Sequence, residues 1–171
     1  EICADNTFNC ITVDGCMSTN DSIVLLANGA SQNNSIDLNK YFSVFLKVLN
    51  IICIELAKMI VSDAEGASKF IQIKVRQARS FSEAKKVALA VANSNLFKTA
   101  MYGQNPNFGR IVAGVGASGA PIKEKNLKIK VSPLYKKDIT VELALSQGSC
   151  GCTVYTCDLT PQYIKINAEY N

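Results

Sequence analysis

Between Asp37 and Ile60 the apolar residues Phe42, Phe45, Leu46, Leu49, Ile52, Cys53, Leu56 and Ile60 recur at steps of three and four. That is the helical period, so the spacing predicts a long helix capped by Asp37 or Asn39, with one wide buried stripe. The period then changes. Phe70-Ile71-Gln72-Ile73-Lys74-Val75-Arg76 alternates as a half-buried strand does, and Ser80-Phe81-Ser82-Glu83 opens a second helix with a capping box that runs to about Ala92. Asn107 caps a third through Arg110 to Val115, ended by Gly116-Ala117-Ser118-Gly119.

Segments 127–131, 139–145 and 153–157 are rich in β-branched and aromatic residues, separated by Pro, Gly and Ser, and read as strands. Residues 10–14 read as a further short strand, 15–21 as a polar turn before Ile23-Val24-Leu25-Leu26, and 28–34 as a loop. Strands and helices interleave without the strict alternation of a doubly wound sheet. The fold class expected is α/β of the α+β type, layered β-sheets flanked by helices. With no internal repeat or linker, the 171 residues read as a single domain, 1–171.

At 48% hydrophobic the chain can bury a sizeable core. Its longest apolar stretch, 44–61, is broken by Lys47, Asn50, Glu55 and Lys58, so it lacks the run of about 20 apolar residues that crosses a bilayer. No membrane span is expected. The net charge of +4 is scattered, with doublets only at Lys85-Lys86 and Lys136-Lys137, so no nucleic-acid footprint is visible.

Seven cysteines, at positions 3, 10, 16, 53, 150, 152 and 157, are an odd count in a chain large enough to fold without staples, and reduced thiols are expected. Cys150-Gly151-Cys152 has the wrong spacing for zinc, and there is no histidine to complete a site, so no metal is expected. A Cys150–Cys152 disulfide would be strained. Gly114-Val115-Gly116-Ala117-Ser118-Gly119 matches the glycine spacing of a dinucleotide fingerprint. Pro121 follows at once, however, and no helix is evident before Asp138, so nucleotide binding is not expected.

The absence of histidine also excludes every triad built on an imidazole base. A base that fits is the free α-amino group of an N-terminal Thr, with a pKa of about 7.7–8.0 suited to proton transfer at neutral pH.

Eight blocks in order carry a resemblance over nearly the whole chain. They are Phe8-Asn9-Cys10-Ile11-Thr12-Val13-Asp14-Gly15, Ser18-Thr19-Asn20-Asp21, Asn28-Gly29, Glu65-Gly66-Ala67, Asn93-Ser94, Asn105-Pro106-Asn107-Phe108-Gly109-Arg110, Thr156-Cys157-Asp158-Leu159-Thr160 and Ile166-Asn167-Ala168-Glu169-Tyr170. Together they resemble the β chain of ornithine acetyltransferase, the glutamate N-acetyltransferase of arginine biosynthesis. The family usually has Gly where Ala64 stands and Trp where Phe108 stands. It also has a longer stretch near 132–137, where a loop is expected to be missing.

The resemblance implies an autoprocessed precursor of the N-terminal-nucleophile kind, cut before a Thr into an α chain and a β chain. That Thr takes acetyl from N2-acetylornithine, and the amine of glutamate then attacks the acetyl-enzyme. Glu1 and the residues after it resemble the helix just before the Phe-Asn block, so the nucleophilic Thr is expected upstream of Glu1 and no catalytic residue in this stretch. The α chain of the same precursor, an α2β2 heterotetramer and a cytoplasmic or organelle-matrix setting are likewise implied. No cofactor is; whether acetyl-CoA also serves as donor is left open.

The family's substrate contacts map to Glu65 and Asn167. A carboxylate can accept hydrogen bonds from an ammonium or amide N–H, and an Asn side chain offers both donor and acceptor. Read without the family, Glu65 is a helix-end carboxylate in water and Asn167 a turn-former. Ser18-Thr19-Asn20-Asp21 reads equally as a self-satisfied turn or a site lining, and Arg110 as a helix-surface ion pair rather than a carboxylate clamp. Two alternatives stand beside the transferase: an N-terminal-nucleophile aminopeptidase or amidase with water as acceptor, and a non-catalytic binding subunit.

Overall fold

The alternating positions of 70–78 decide the architecture. A computed structural model describes residues 1–32, 34 and 37–169, with the side chains of all of these except 38 and 39. Phe70–Ala78 (β1) pairs in parallel with Asp138–Ala144 (β3) and antiparallel with Cys150–Cys157 (β4). Lys128–Val131 (β2) pairs antiparallel with β3, which gives a four-stranded sheet of order β2-β3-β1-β4.

The register puts Ile71 beside Ile139, Ile73 beside Val141 and Val75 beside Leu143, so one face of the sheet is continuously apolar. All six side chains are buried. Each is worth about 1.5–3 kcal/mol relative to exposure, so this layer holds the fold together. Three helices cover it: Phe81–Ala92 (α3), Asn95–Tyr102 (α4) and Phe108–Ala117 (α5). Ser80 caps α3 by accepting from the Glu83 N–H, as the sequence predicts, and Asn107 caps α5 through the Arg110 N–H.

The glycine motif lies inside α5 and at its end, where it cannot open a helix onto a phosphate. Gly114 has a packing reason instead: a Cβ there would sit 3.0 Å from the Val91 Cα, so its absence lets α5 close onto α3.

The opposite face of the sheet is thinly covered. Leu38–Ser62 (α2) crosses it, starting after Asp37, whose carbonyl accepts from the Lys40 and Tyr41 N–H groups. Against the sheet only its last turns pack closely: Val61 joins Tyr155 and Cys157 in a second, smaller cluster, with Phe70 stacked on Tyr155 at 5.8 Å between ring centroids. Here the structure departs from the expected buried stripe. Phe42, Phe45, Ile52, Leu56 and Ile60 are exposed, Leu46, Leu49 and Cys53 are half-buried, and the fully buried positions are Ala57 and Val61. The helix forms as its period predicts, but the buried stripe is narrower than expected and holds only Leu46, Leu49 and Cys53 of the eight, because this chain supplies too few groups to cover the wider apolar face.

Three further differences have local causes. Residues 10–14 form no strand: the short helix Ile2–Asn6 (α1) is followed by a 3-10 turn at Phe8–Cys10, Ile11 makes one isolated parallel bridge to Tyr155, and the chain then turns at Gly15, whose φ is +87°. Helix α4 and the helix Pro161–Ala168 (α6) were not anticipated, although Ser94 and Thr160 cap them and Pro161 fits a first turn. Segment 132–137 closes as the β2–β3 turn, with the Lys69 ammonium donating to the carbonyls of Leu134 (3.1 Å) and Lys136 (3.0 Å). The expected loop at 28–34 is irregular where described; position 33 lies outside the described residues.

Gly114→Val should force α5 away from α3. Overpacking of this kind costs about 1–3 kcal/mol, so the thermal unfolding midpoint falls, with Gly114→Ala milder.

Candidate functional site

The site is assembled where the end of α2 meets the start of α6. Asp158, 2% exposed, accepts from the backbone N–H groups of Ser68 and Lys69, both at 2.9 Å, and from the Ser68 hydroxyl. Thr160 donates to the Gly66 carbonyl at 2.6 Å while capping α6 through the Tyr163 N–H at 3.1 Å. Gly66 has φ +65°, and a Cβ on it would lie 2.5 Å from the Tyr163 nitrogen. Only glycine allows that approach, and the approach sets Glu65 beside α6.

Under this junction lies Lys98, also 2% exposed, which donates to the Thr156 hydroxyl at 3.1 Å and to the Cys157 carbonyl. Burial pulls its ammonium below the ordinary lysine range, while the Cys157 thiol and the Asp158 and Asp14 carboxylates work to keep it charged. The same burial pushes the Cys157 thiol up.

On the outer side an open groove of roughly 900 Å³ is lined by Asp14, Asp21, Asp63, Glu65, Tyr163 and Asn167, with Val13, Met59 and Ile60 as its apolar part. The Asn167 amide donates to Glu65 Oε2 at 3.4 Å and to the Tyr163 carbonyl at 3.0 Å. With both amide hydrogens so directed, its carbonyl oxygen is the group free to meet a ligand. The Tyr163 hydroxyl donates to Asp14 Oδ2 at 2.7 Å, and the Cys16 N–H to Asp14 Oδ1 at 2.9 Å. Burial opposes the Asp14 charge, but these donors outweigh it and hold the carboxyl below its usual range. That hydrogen bond to Asp14 is the main reason the Tyr163 phenol is pushed up to about 12. Among the described residues four carboxylates line the groove and no Lys or Arg does, so its chemistry suits an ammonium or amide N–H donor.

The sequence profile described as the ArgJ family matches residues 1–135 and 130–171. The chain belongs to the ArgJ family. It is 42% identical to the "Arginine biosynthesis bifunctional protein ArgJ" of Geobacter sulfurreducens, over 97% of this chain and 48% of that protein. The protein of the same name from Oceanobacillus iheyensis is 39% identical over 97% of this chain and 46% of its own length. "Arginine biosynthesis bifunctional protein ArgJ, mitochondrial" of Lodderomyces elongisporus is 38% identical over 97% and 45%. The chain therefore spans about half the length of the curated relatives it matches. The crystal structure of Bacillus halodurans ArgJ superposes with a TM-score of 0.93 at 34% identity, covering 99% of this chain and 90% of that one.

Four of the blocks that carry the ArgJ resemblance contribute residues to the groove: Asp14, Asp21, Glu65 and Asn167. Glu65 and Asn167, 102 residues apart, stand side by side in the lining of the groove. Ser18-Thr19-Asn20 is chiefly a turn, its Ser18 hydroxyl accepting from the Asp21 N–H at 3.2 Å, while the Asp21 side reaches the groove. Asn93 accepts from the Thr12 hydroxyl at 2.7 Å and so holds the Asp14-Gly15 turn against the end of α3. Arg110 is neither clamp nor ion pair: its guanidinium donates to the Leu96 carbonyl at 2.8 Å and the Thr99 hydroxyl at 3.2 Å, bracing α4 on α5. Tyr170 lies outside the described residues.

Asp14, Asp63 and Tyr163 were missed as site residues. Tyr163 stands four positions before Asn167 and shares its helix face, a signal readable only once Thr160-Pro161 is taken as a helix start.

Tyr163→Phe should raise the Asp14 pKa toward the ordinary carboxylate range, read from carboxyl chemical shifts against pH. The sign follows from the lowered native pKa: what this hydrogen bond contributes is present at neutral pH and is lost as pH falls through the Asp14 value. At the alkaline end it persists below the ordinary tyrosine pKa and is lost as pH rises through about 12.

Proposed function

We propose that this chain is the β-chain portion of an acetyltransferase that moves acetyl from N2-acetylornithine to glutamate in arginine biosynthesis. The observation that carries this reading is the pairing of Glu65 with Asn167 on one groove, in a chain of the ArgJ family. The nucleophile is a Thr upstream of Glu1. Its hydroxyl, deprotonated by its own α-amine, attacks the acetyl carbonyl; ornithine leaves as the free amine, and the amine of glutamate then displaces the threonine oxygen.

Glu65 accepts hydrogen bonds from the reacting amino group, and Asn167 presents its carbonyl oxygen beside it. Since no cation among the described residues lines the groove, the substrate carboxylates take their partners from the α chain. No resident cofactor takes part in this scheme. Among the described residues no helix is long and apolar enough to cross a membrane. The setting we propose is the cytoplasm, or an organelle matrix in a eukaryote.

The α chain is the partner proposed for the outer face of α2, where Phe42, Phe45, Val48, Ile52, Leu56 and Met59 are all 42–65% exposed. Such a continuous apolar surface marks an interface. Two αβ pairs then form an α2β2 heterotetramer. A precursor cut in two is supported by the lengths: the chain covers 90% of a chain in the Bacillus halodurans structure but under half of the curated relatives. The two profile matches meet at the β2–β3 turn, which supports a longer connection at 132–137 in the relatives.

The full-length protein, supplied with N2-acetylornithine and glutamate, should yield ornithine and N-acetylglutamate in equal amounts. Release of acetate without N-acetylglutamate would favour the amidase reading, and no turnover the binding-subunit reading. Glu65→Ala should lower kcat/KM about tenfold to 100-fold while self-cleavage proceeds, the loss expected for one charge-assisted hydrogen bond. Ile52→Asp on the outer face of α2 should abolish co-purification of the α chain; retention of that chain would remove α2 from the interface.

A further inference from the structure

Cys10 and Cys152 come from chain segments 142 residues apart, yet their sulfurs lie 3.7 Å from one another. Cys10 ends the 3-10 turn before Ile11, and Cys152 stands on the edge strand β4. Both are buried and both are free thiols. Cys152 is nevertheless one of the residues lining an open groove of roughly 420 Å³ beside that edge, together with Asn6, Ile54 and Gly151, so a small solute can reach it. The Asp5 carbonyl accepts both from Cys10 Sγ at 3.2 Å and from the Lys85 ammonium at 3.2 Å, which sets a positive charge near the pair.

We propose that Cys10 and Cys152 are a reversible oxidation site, a dithiol that small peroxides convert to a disulfide. The sulfurs need to approach by less than 2 Å to reach bonding distance, about 2.05 Å, a movement within reach of side-chain rotation. The contact between the two sulfurs lowers the Cys10 thiol, helped by Lys85, and raises that of Cys152. In the first step the Cys152 thiol gives its proton to solvent as its sulfur attacks the nearer peroxide oxygen. The O–O bond breaks, hydroxide leaves, and it takes the proton from Cys10 to become water. The Cys10 thiolate then attacks the Cys152 sulfur, the S–O bond of the sulfenic acid breaks, and the departing hydroxide is protonated by solvent. Two thiols and one peroxide give one disulfide and two waters.

The crosslink would fix the segment leading into Thr12 and Asp14 to the strand leading into Asp158 and α6, the two strands of chain that frame the substrate groove. This inference does not rest on the acetyltransferase reading, because its readout is covalent. Reduced full-length protein is treated with hydrogen peroxide, alkylated in denaturant and digested without reductant. The expected result is a linked peptide joining Cys10 to Cys152, two hydrogens lighter than its halves, with loss of alkylation at both cysteines and recovery of both thiols on reduction. In Cys152→Ser the linked peptide should vanish. Full alkylation of both cysteines after oxidation, or either one linked elsewhere, overturns the proposal, and the unsubstituted protein decides this even if the variant fails to fold.

Discussion

The clamp made by Asp158 on the loop after α2 is the constraint on which the site depends. A carboxylate 2% exposed to solvent is costly to bury unless its oxygens are met, and here two backbone N–H groups and a hydroxyl meet them. The clamp joins residues 90 positions apart, the segment leaving α2 and the segment leaving β4. Gly66 completes the junction by letting backbone approach backbone with no Cβ between them. From it follow the placement of Glu65, the entry angle of α6, and the meeting of Asn167 and Tyr163 with Glu65 and Asp14 at one groove. The chemistry of the groove is thus set by buried residues, Asp158 and Thr160, that do not line it.

A second consequence concerns the two faces of the sheet. One is sealed by α3, α4 and α5, and it accounts for most of the buried apolar side chains. The other carries a small cluster around Val61, Tyr155 and Cys157 and leaves a 25-residue helix apolar on its outer side. A helix that is apolar beyond its buried stripe is a half-built layer. Under the proposed function, the α chain both covers the exposed stripe and supplies the cations that the described lining of the groove lacks.

Much of this was legible in the residues. Period-two alternation located β1, Ser80 and Asn107 marked their helices, and the β-branched runs gave β2, β3 and β4 to within a few positions. What periodicity could not give was the width of the buried stripe: Phe42, Phe45 and Ile52 have the spacing of a buried stripe, and only the placement of α2 on the sheet shows that Ala57 and Val61 face inward. The site divides in the same way. Glu65 and Asn167 were found because their blocks resemble a family, whereas Asp14 and Tyr163 become visible only when the Tyr163 hydroxyl is seen on the Asp14 carboxylate. Residues 10–14 looked like a strand because their side chains are strand formers, but the polar turn at Asp14-Gly15 ends the pairing after Ile11.

The central claim, that Glu65 and Asn167 hold the amino-acid end of the substrate, is tested most directly by a crystal structure of the full-length protein with ornithine bound. The account predicts the α-ammonium at hydrogen-bonding distance, about 2.7–3.2 Å, from the Glu65 carboxylate, with the Asn167 amide beside it. Ornithine seated elsewhere, with Glu65 and Asn167 meeting only water, would contradict it.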